Sequence, residues 1–148
     1  MAAEIVSQHI PVHIGIAAMT AKGVMVPVVK HSEALDIWGV AAEMQRLSEA
    51  AKSGTAARDE LIGSTITITS LGPLGGLIST PIINAPEVAI VGVNKIVERP
   101  MVVDGNIAVR KMMNLSSSFD HRIIDGYDAA EFVNYIKLLL ENPAMIFV

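Results

Sequence analysis

The apolar residues of this chain fall in short runs, such as Val24–Val29 and Ala89–Val93, that glycine and proline interrupt. A membrane-spanning helix needs roughly 18 consecutive apolar residues, so runs of this length predict no membrane span. The runs hardly alternate with polar residues, which is typical of strands that are covered on both faces of a sheet. The chain is therefore expected to fold around a buried sheet.

Two segments have the apolar spacing of an amphipathic helix. The first covers residues 37–51, with Ser32 or Asp36 as its candidate N-cap and Ser53-Gly54 at its end. The second covers residues 128–141 and is followed by Pro143. The predicted apolar face of the first helix consists of Ile37, Val40, Ala41, Met44 and Leu47.

Strand-like segments occupy most of the remaining chain. Residues 10–19 and 23–30 flank a turn, which predicts a hairpin, and Asp104-Gly105 marks a second tight turn. Further strands are predicted over residues 65–69, 88–96 and 112–118. A chain of 148 residues has the length of one domain, so a single mixed α/β domain is expected over residues 1–148.

Composition excludes several classes of function. Fifteen acidic and eleven basic residues give a net charge of −4, which offers no broad basic field to nucleic acid or to an anionic membrane. The absence of cysteine excludes disulfides, thiolate zinc sites and a cysteine nucleophile, and favours a cytoplasmic protein. Half of the residues are hydrophobic and eight are methionine, which predicts apolar surface that is buried against further copies of the chain.

Four histidines are the main candidates for chemistry. His9 and His13 share a face of a strand-like segment, so a metal pair is conceivable, but no third ligand lies nearby and structural histidines are favoured. His31 precedes the first helix and receives no role. His121 stands at a junction of strand and helix, four residues before Asp125. That pattern alone fits a hydrogen-bonded histidine beside a helix cap as well as a catalytic one.

The segment Leu115-Ser-Ser-Ser-Phe-Asp-His-Arg-Ile-Ile-Asp-Gly126 resembles the signature of the catalytic domain of 2-oxo acid dehydrogenase dihydrolipoamide acyltransferases. Further segments resemble the same family in the same order, so the resemblance covers the chain from about residue 10. They are residues 13–17 with 23–27, residues 66–72, residues 80–90 and residues 140–143.

The resemblance implies a chloramphenicol-acetyltransferase-like fold, an α+β two-layer sandwich with a mixed sheet. It also implies acyl transfer between the thiols of dihydrolipoamide and coenzyme A, with His121 as the general base. Thr69, with Ser70 beside it, matches the hydroxyl that stabilises the oxyanion. Asp125 matches an aspartate that orients the active-site loop, through Arg122 or another arginine. The residues that match the coenzyme A side of the channel are Asn94 and Ile96.

The family also implies partners. Coenzyme A is a substrate, the lipoyl group is supplied by a domain that this chain does not contain, and no metal is expected. Family members form homotrimers in which the counterpart of His121 on one subunit faces the counterpart of the Thr69 hydroxyl on the next. These trimers assemble into cubic or dodecahedral cores that meet lipoyl domains and partner dehydrogenases. The first portion of the catalytic domain and the subunit-binding domain have no counterpart here, and a cytoplasmic or mitochondrial-matrix location is expected.

Two other functions stay open. Acyltransferases of the chloramphenicol acetyltransferase type carry His-His-x-x-x-Asp-Gly, whereas this chain has Asp120 before His121. An inactive, self-assembling scaffold is the second alternative. The acyl group also stays open, because Thr69 and Ser79-Thr-Pro favour succinyl relatives while residues 84–90 favour acetyl or branched-chain relatives.

Overall fold

A computed structural model describes residues 5–147 of the chain. The strands are β1 (Ile14–Ile16), β2 (Ala18–Thr20), β3 (Gly23–Met25), β4 (Val28–Val29), β5 (Ile66–Ser70), β6 (Ala89–Val93), β7 (Val97–Val103), β8 (Asn106–Met112) and β9 (Leu115–Phe119). The α-helices are α1 (Ile37–Ser53) and α2 (Gly126–Glu141). None of the helices described within residues 5–147 combines the length and the hydropathy that crossing a bilayer requires.

Five strands form the main sheet, in the order β4-β1-β5-β6-β9. The central strands β1, β5 and β6 run parallel, and the two edge strands β4 and β9 run antiparallel to their neighbours. Two separate hairpins, β2–β3 and β7–β8, extend from this sheet. The predicted mixed sheet is therefore confirmed.

The first predicted hairpin is split between two sheets. Residues 10–19 contain β1 and β2 rather than one strand, and residues 23–30 contain β3 and β4. The break falls at Pro27, which has no backbone N–H to give to a ladder. Its carbonyl instead accepts a hydrogen bond from the N–H of Ile16 at 2.8 Å. The β2–β3 pair thus becomes a small hairpin, while β1 and β4 join the main sheet.

The predicted turn between β7 and β8 is confirmed. Asp104 and Gly105 both have positive φ, of 49° and 78°, as a two-residue hairpin turn of this type requires. The predicted strand over residues 112–118 is wrong at its start. Met112 ends β8, and β9 begins only at Leu115.

Helix α1 begins and ends at predicted residues. Of the two candidate caps, Asp36 accepts a hydrogen bond from the N–H of Gly39 at 2.7 Å, which satisfies one free donor of the first turn. Gly54 ends the helix with φ 74°. Leu47 and Ala51 are buried against the sheet side of the molecule.

The predicted apolar face of α1 is only partly buried. Leu47 is 1% exposed, but Ile37 is 49% exposed and Met44 is also exposed. Helix α2 has no buried residue at all within its described length. An amphipathic helix needs another element against its apolar stripe, and the described residues 5–147 cover these two faces only in part.

The exposed area of the chain is large for its mass. A compact monomer of 15.7 kDa exposes ~7,300 Å² by the usual scaling, whereas this chain exposes 10810 Å². Large apolar side chains contribute to the surplus, including Trp38, Leu74, Ile82 and Ile107. Exposed apolar surface on this scale is typical of a protein that is covered in its working state.

Candidate active site

Thr69 lies near the carboxyl end of β5 and begins a row of residues across the sheet. It is paired with Gly92 of β6, and Gly92 is paired with Ser116 of β9. Directly paired residues of neighbouring strands point to the same face of a sheet. The side chains of Thr69 and Ser116 therefore lie on one face, on either side of a glycine.

A loop segment, residues 79–81, lies over Gly92 on that face. A Cβ atom added at Gly92 would lie 2.9 Å from the Ser79 hydroxyl oxygen and 3.2 Å from the Ser116 carbonyl oxygen. Both distances are shorter than ordinary van der Waals contacts, so only glycine lets the loop approach the sheet this closely. The loop forms a wall beside Thr69.

Hydrogen bonds from polar side chains hold this wall in place. The Ser116 hydroxyl accepts from the backbone N–H of Ser79 at 3.1 Å and from the side-chain amide of Asn94 at 2.8 Å. Two further bonds run from the Asn114 amide to the Leu77 carbonyl at 2.7 Å and from the Ser118 hydroxyl to the Pro81 carbonyl at 2.6 Å. Because each donor or acceptor would otherwise be left without a partner, the loop and the strand end are fixed relative to each other.

The wall and the sheet enclose a cavity of about 190 Å³. Three predicted site residues, Thr69, Ser70 and Asn94, meet at this cavity, whereas Ile96 is 60% exposed and lies outside its lining. The full lining consists of Thr69, Ser70, Leu71, Gly75, Ser79, Thr80, Pro81, Val93 and Asn94, and it includes no cationic side chain.

The two neighbouring hydroxyls at the end of β5 differ in their partners. The Ser70 hydroxyl accepts a hydrogen bond from the N–H of Gly72 at 3.1 Å and so belongs to the following turn. The Thr69 hydroxyl has no hydrogen-bond partner among the described residues, and it lines the cavity. Thr69 is therefore the hydroxyl that is available to a ligand in the cavity.

His121 lies in the turn that joins β9 to α2, and its side chain is exposed. Asp125 caps α2 by accepting hydrogen bonds from the N–H groups of Tyr127 at 2.9 Å and Asp128 at 3.0 Å. The sequence placed Asp125 beside a helix cap, and the structure shows that Asp125 is the N-cap of α2. Its expected partner Arg122 is instead bound to Asp120.

The Asp120 carboxylate is strongly affected by that arginine. Hydrogen bonds from the side chain and the backbone N–H of Arg122 lower the pKa of Asp120 to about 2. Asp120 is therefore ionised throughout the range in which a histidine exchanges its proton.

Thr69 and His121 lie at opposite ends of the sheet. Thr69 is near the carboxyl ends of the parallel strands, whereas β9 runs antiparallel and delivers His121 to their amino ends. With ~3.3 Å per residue along a strand and ~4.8 Å between strands, the two residues are roughly 15–20 Å apart within one chain. One chain therefore does not bring both side chains to the same reacting atom.

His13 and His31 have local partners. The Nδ1 atom of His13 accepts a hydrogen bond from the N–H of His31 at 2.9 Å, and the two rings meet edge to face. Nδ1 of His31 lies 3.2 Å from a carboxylate oxygen of Glu33. Within residues 5–147 no three His, Asp or Glu side chains come together as metal ligands would.

Sequence reasoning missed several residues of the site. Ser79, Gly92 and Ser116 build the wall of the cavity, and Asp120 holds the turn that carries His121. The only sequence signal was a glycine within the apolar run of β6, which indicates close approach of another segment but does not say which one.

Residues 2–148 match the model of the family described as 2-oxoacid dehydrogenases acyltransferase (catalytic domain). The chain is 64% identical over 146 residues to the lipoamide acyltransferase component of the branched-chain alpha-keto acid dehydrogenase complex of Pseudomonas aeruginosa, which covers 99% of the chain and 34% of that protein. The chain thus spans about a third of the length of the curated relatives it matches.

Two solved structures are similar over most of the chain. A dihydrolipoamide acetyltransferase of Azotobacter vinelandii, studied for the role of a serine, a histidine and an asparagine in its catalytic mechanism, has a TM-score of 0.89 and 42% identity. The cubic core of a pyruvate dehydrogenase multienzyme complex has a TM-score of 0.89 and 41% identity. Each similarity covers 95% of this chain and 58% of the other chain.

Proposed function

The chain belongs to the family of 2-oxoacid dehydrogenase acyltransferase catalytic domains, and we propose that it transfers an acyl group between the thiols of dihydrolipoamide and coenzyme A. Its fold is that of the acyltransferase cores, with the mixed sheet that the sequence predicts. In this proposal the acylated lipoyl group is a substrate of the described residues, which supply the transfer chemistry.

The observation that carries the proposal is the spacing of three residues. In the Azotobacter enzyme the serine lies 52 residues before the histidine, and the asparagine lies four residues after it. Thr69, His121 and Asp125 have the same two spacings in this chain. A hydroxyl, an imidazole and a polar side chain at matching positions of a similar fold support the same division of roles.

The proposed base is His121. Its neutral imidazole takes the proton from the thiol of coenzyme A, whose pKa near 8.5 lies within reach of an imidazole. The thiolate attacks the carbonyl carbon of the acyl dihydrolipoamide thioester, so a carbon–sulfur bond forms and a tetrahedral oxyanion results. When the oxyanion collapses, the bond to the lipoyl sulfur breaks and His121 returns its proton to that sulfur.

Thr69 is the proposed donor to the oxyanion. Its hydroxyl faces the cavity without a partner among the described residues, so it has a hydrogen to give to a negative oxygen there. A fixed donor of this kind acts on the charge that develops in the transition state and is worth far more there than in water. Asn94, whose amide is held by Ser116, lines the same cavity and contacts the substrate in this proposal.

The complete site is proposed to form between copies of the chain. His121 and Thr69 are roughly 15–20 Å apart in one chain at the strand spacings given above, so each needs its counterpart from a neighbour. The surplus of exposed apolar area supports extensive contacts between copies. A homotrimer that assembles into a larger core, as in the cubic core of the related complex, satisfies both requirements.

The acyl group is proposed to be short, branched and uncharged. The lining of the cavity offers Leu71, Pro81 and Val93 to an apolar group and no lysine, arginine or histidine to a carboxylate. A succinyl carboxylate would find no counter-charge among these lining residues, and burying a charge without a partner is costly. The relative from Pseudomonas aeruginosa, with 64% identity, belongs to a branched-chain complex, which supports the same choice.

The test is acyl transfer by the purified chain from isobutyryl, acetyl and succinyl coenzyme A to dihydrolipoamide, with chloramphenicol as an alternative acceptor. We expect transfer to the dithiol, with the highest kcat/KM for isobutyryl. Preference for the hydroxyl acceptor would contradict the lipoamide assignment. Assembled particles, seen by sedimentation, that transfer to neither acceptor would favour the scaffold function instead.

A further inference from the structure

The residues on either side of His121 bind each other. The Arg122 Nε donates to the Asp120 Oδ1 at 2.9 Å, and its Nη2 donates to the Oδ2, so the arginine holds both carboxylate oxygens. The backbone N–H of Arg122 also donates to Oδ1 at 3.1 Å. His121 is therefore the single residue between two side chains that bind each other.

The backbone of Asp120 anchors the same turn to the sheet. Its N–H donates to the Val88 carbonyl at 2.8 Å, beside the start of β6. Its carbonyl accepts from the N–H groups of Ile123 at 2.9 Å and Ile124 at 3.0 Å. Asp125 then caps α2, so both ends of the segment that carries His121 are fixed.

We propose that Asp120 and Arg122 are positioning residues that hold the His121 turn in the geometry needed for proton transfer. The inference rests on the proposed function, since it assigns the pair to the base of that reaction. Neither side chain is required to touch substrate. The pair fixes the backbone of His121. Each of the two side chains also takes up the hydrogen-bonding groups of the other.

The hydrogen bonds that fill the Asp120 carboxylate matter as much as the position of the His121 backbone. A free carboxylate one residue from His121 would be a competing acceptor for the imidazole N–H. Arg122 prevents this because it fills both oxygens in the bidentate arrangement that suits a guanidinium. The imidazole then stays available for the thiol.

Stability of the fold is a poor explanation for the pair. The Arg122 side chain is 87% exposed, and ion pairs that exposed contribute little to folding. Arg46 offers a comparison far from His121 in the sequence, because it also makes a bidentate bond, to Glu43 on α1, and it binds Glu60 as well. A pair that mattered only for stability would behave like Arg46.

The experiment compares kcat and KM for the variants R122Q, D120N, R122Q/D120N and R46Q in the intact, assembled protein. Because a misplacement of about 1 Å can cost about 10²-fold in rate, we expect R122Q and D120N each to lower kcat by about 10- to 100-fold with little change in KM. The double variant should be no slower than the worse single variant, since both remove one unit. R46Q should keep the wild-type kcat, and R122K should be intermediate.

A second set of measurements separates positioning from substrate contact. If Arg122 instead bound the phosphates of coenzyme A, R122Q would raise KM while D120N would not, and this split would overturn the proposal. In a His121→Ala background the R122Q change should no longer lower the residual rate, because there is no base left to position. A further loss there would also overturn it.

Amide exchange gives a readout that needs no turnover. The N–H groups of Ile123 and Ile124 should lose protection from exchange in R122Q but not in R46Q. Unchanged protection would contradict an ordering role for the pair. A wild-type chain without acyl transfer would count against the proposed function alone, and the exchange data would still decide whether the pair orders the turn.

Discussion

The two ends of the five-stranded sheet are built in different ways. At the end that carries Thr69, a loop lies on the sheet, three hydrogen bonds hold it there, and it borders a cavity of about 190 Å³. At the end that carries His121, a short turn presents an exposed imidazole that lines none of this cavity. One end has a cavity lined by the Thr69 hydroxyl, and the other has the exposed imidazole of His121.

The direction of β9 causes this difference. A parallel strand would have returned its carboxyl end to the Thr69 side, but β9 is antiparallel to β6 and carries the chain away from the cavity. In the proposed function, each end therefore provides half of the chemistry that acyl transfer between thiols needs. Five variants or mixtures test this difference between the two ends of the sheet, from the largest expected effect to the smallest.

The largest effect is expected at the base. His121→Ala should lower kcat by about 10²–10⁴-fold, because it removes the group that accepts the thiol proton. Assembly should stay intact, as measured by sedimentation. The matched control is His9→Ala, which removes an exposed histidine outside the site, and near-normal turnover in the His121 variant would refute the assigned base.

Thr69→Ala should come next, with a loss of about 10²–10³-fold in kcat, which is typical of a missing oxyanion donor. Affinity for coenzyme A should hardly change, because the hydroxyl acts on charge that exists only in the transition state. Thr69→Ser keeps a hydroxyl and should retain most of the rate. A variant with weak binding and normal turnover would instead give Thr69 a binding role.

Assemblies that mix two variants test whether the two ends of the sheet meet across copies of the chain. Each site is proposed to combine His121 of one copy with Thr69 of the next. Co-expression of the His121→Ala and Thr69→Ala chains should then restore activity to about a quarter of wild type. Random mixing leaves both groups intact in about that share of the sites. Each variant alone stays inactive. No recovery in verified mixed particles would show that the two ends do not meet across copies.

Gly92→Ala should damage the Thr69 end alone. The new methyl group would lie 2.9 Å from the Ser79 hydroxyl oxygen, so the loop must move away from the sheet. We expect a loss of about 1–3 kcal/mol in the free energy of unfolding and a raised KM. Gly126→Ala is the stability control, because a Cβ there meets nothing within 4 Å.

Asp125→Ala should have the smallest effect. It removes the side chain that caps α2, which costs about 1 kcal/mol in helix stability and lowers the Tm by a few degrees. Asp125→Asn should keep the cap, because asparagine caps helices as well as aspartate does. Equal melting curves for the Ala variant and the wild type would exclude capping as a stabilising role.

Local signals in the sequence predicted the local parts of this structure. Asp36 and Gly54 predicted the bounds of α1, and Asp104-Gly105 predicted the β7–β8 turn, because caps and tight turns depend on a few neighbouring residues. The split at Pro27 was missed, since the residues on either side read as one apolar run. Which sheet each half joins is decided by strands about 40 residues away.

The candidate site shows the same limit. The family signature predicts roles for His121 and Asp125, and the β5 motif predicts one for Thr69, each from a contiguous segment. Ser116 was missed because its role depends on the register between β6 and β9, which places it opposite Gly92. Asp120 was missed because an ion pair to Arg122, two residues on, depends on the shape of the turn.

The loop over Gly92 has a consequence for how this acyltransferase can change. The Thr69 hydroxyl lies on β5, whereas residues 79–81 form much of the cavity wall. In the proposed function, the rate of the reaction and the preference for an acyl group therefore depend on different segments of the chain. Substitutions in the wall can reshape the space for the acyl group without moving Thr69, whose place is set by strand register. In the proposed function, substitutions in residues 79–81 can therefore change the preferred acyl group while Thr69 and His121 keep their roles.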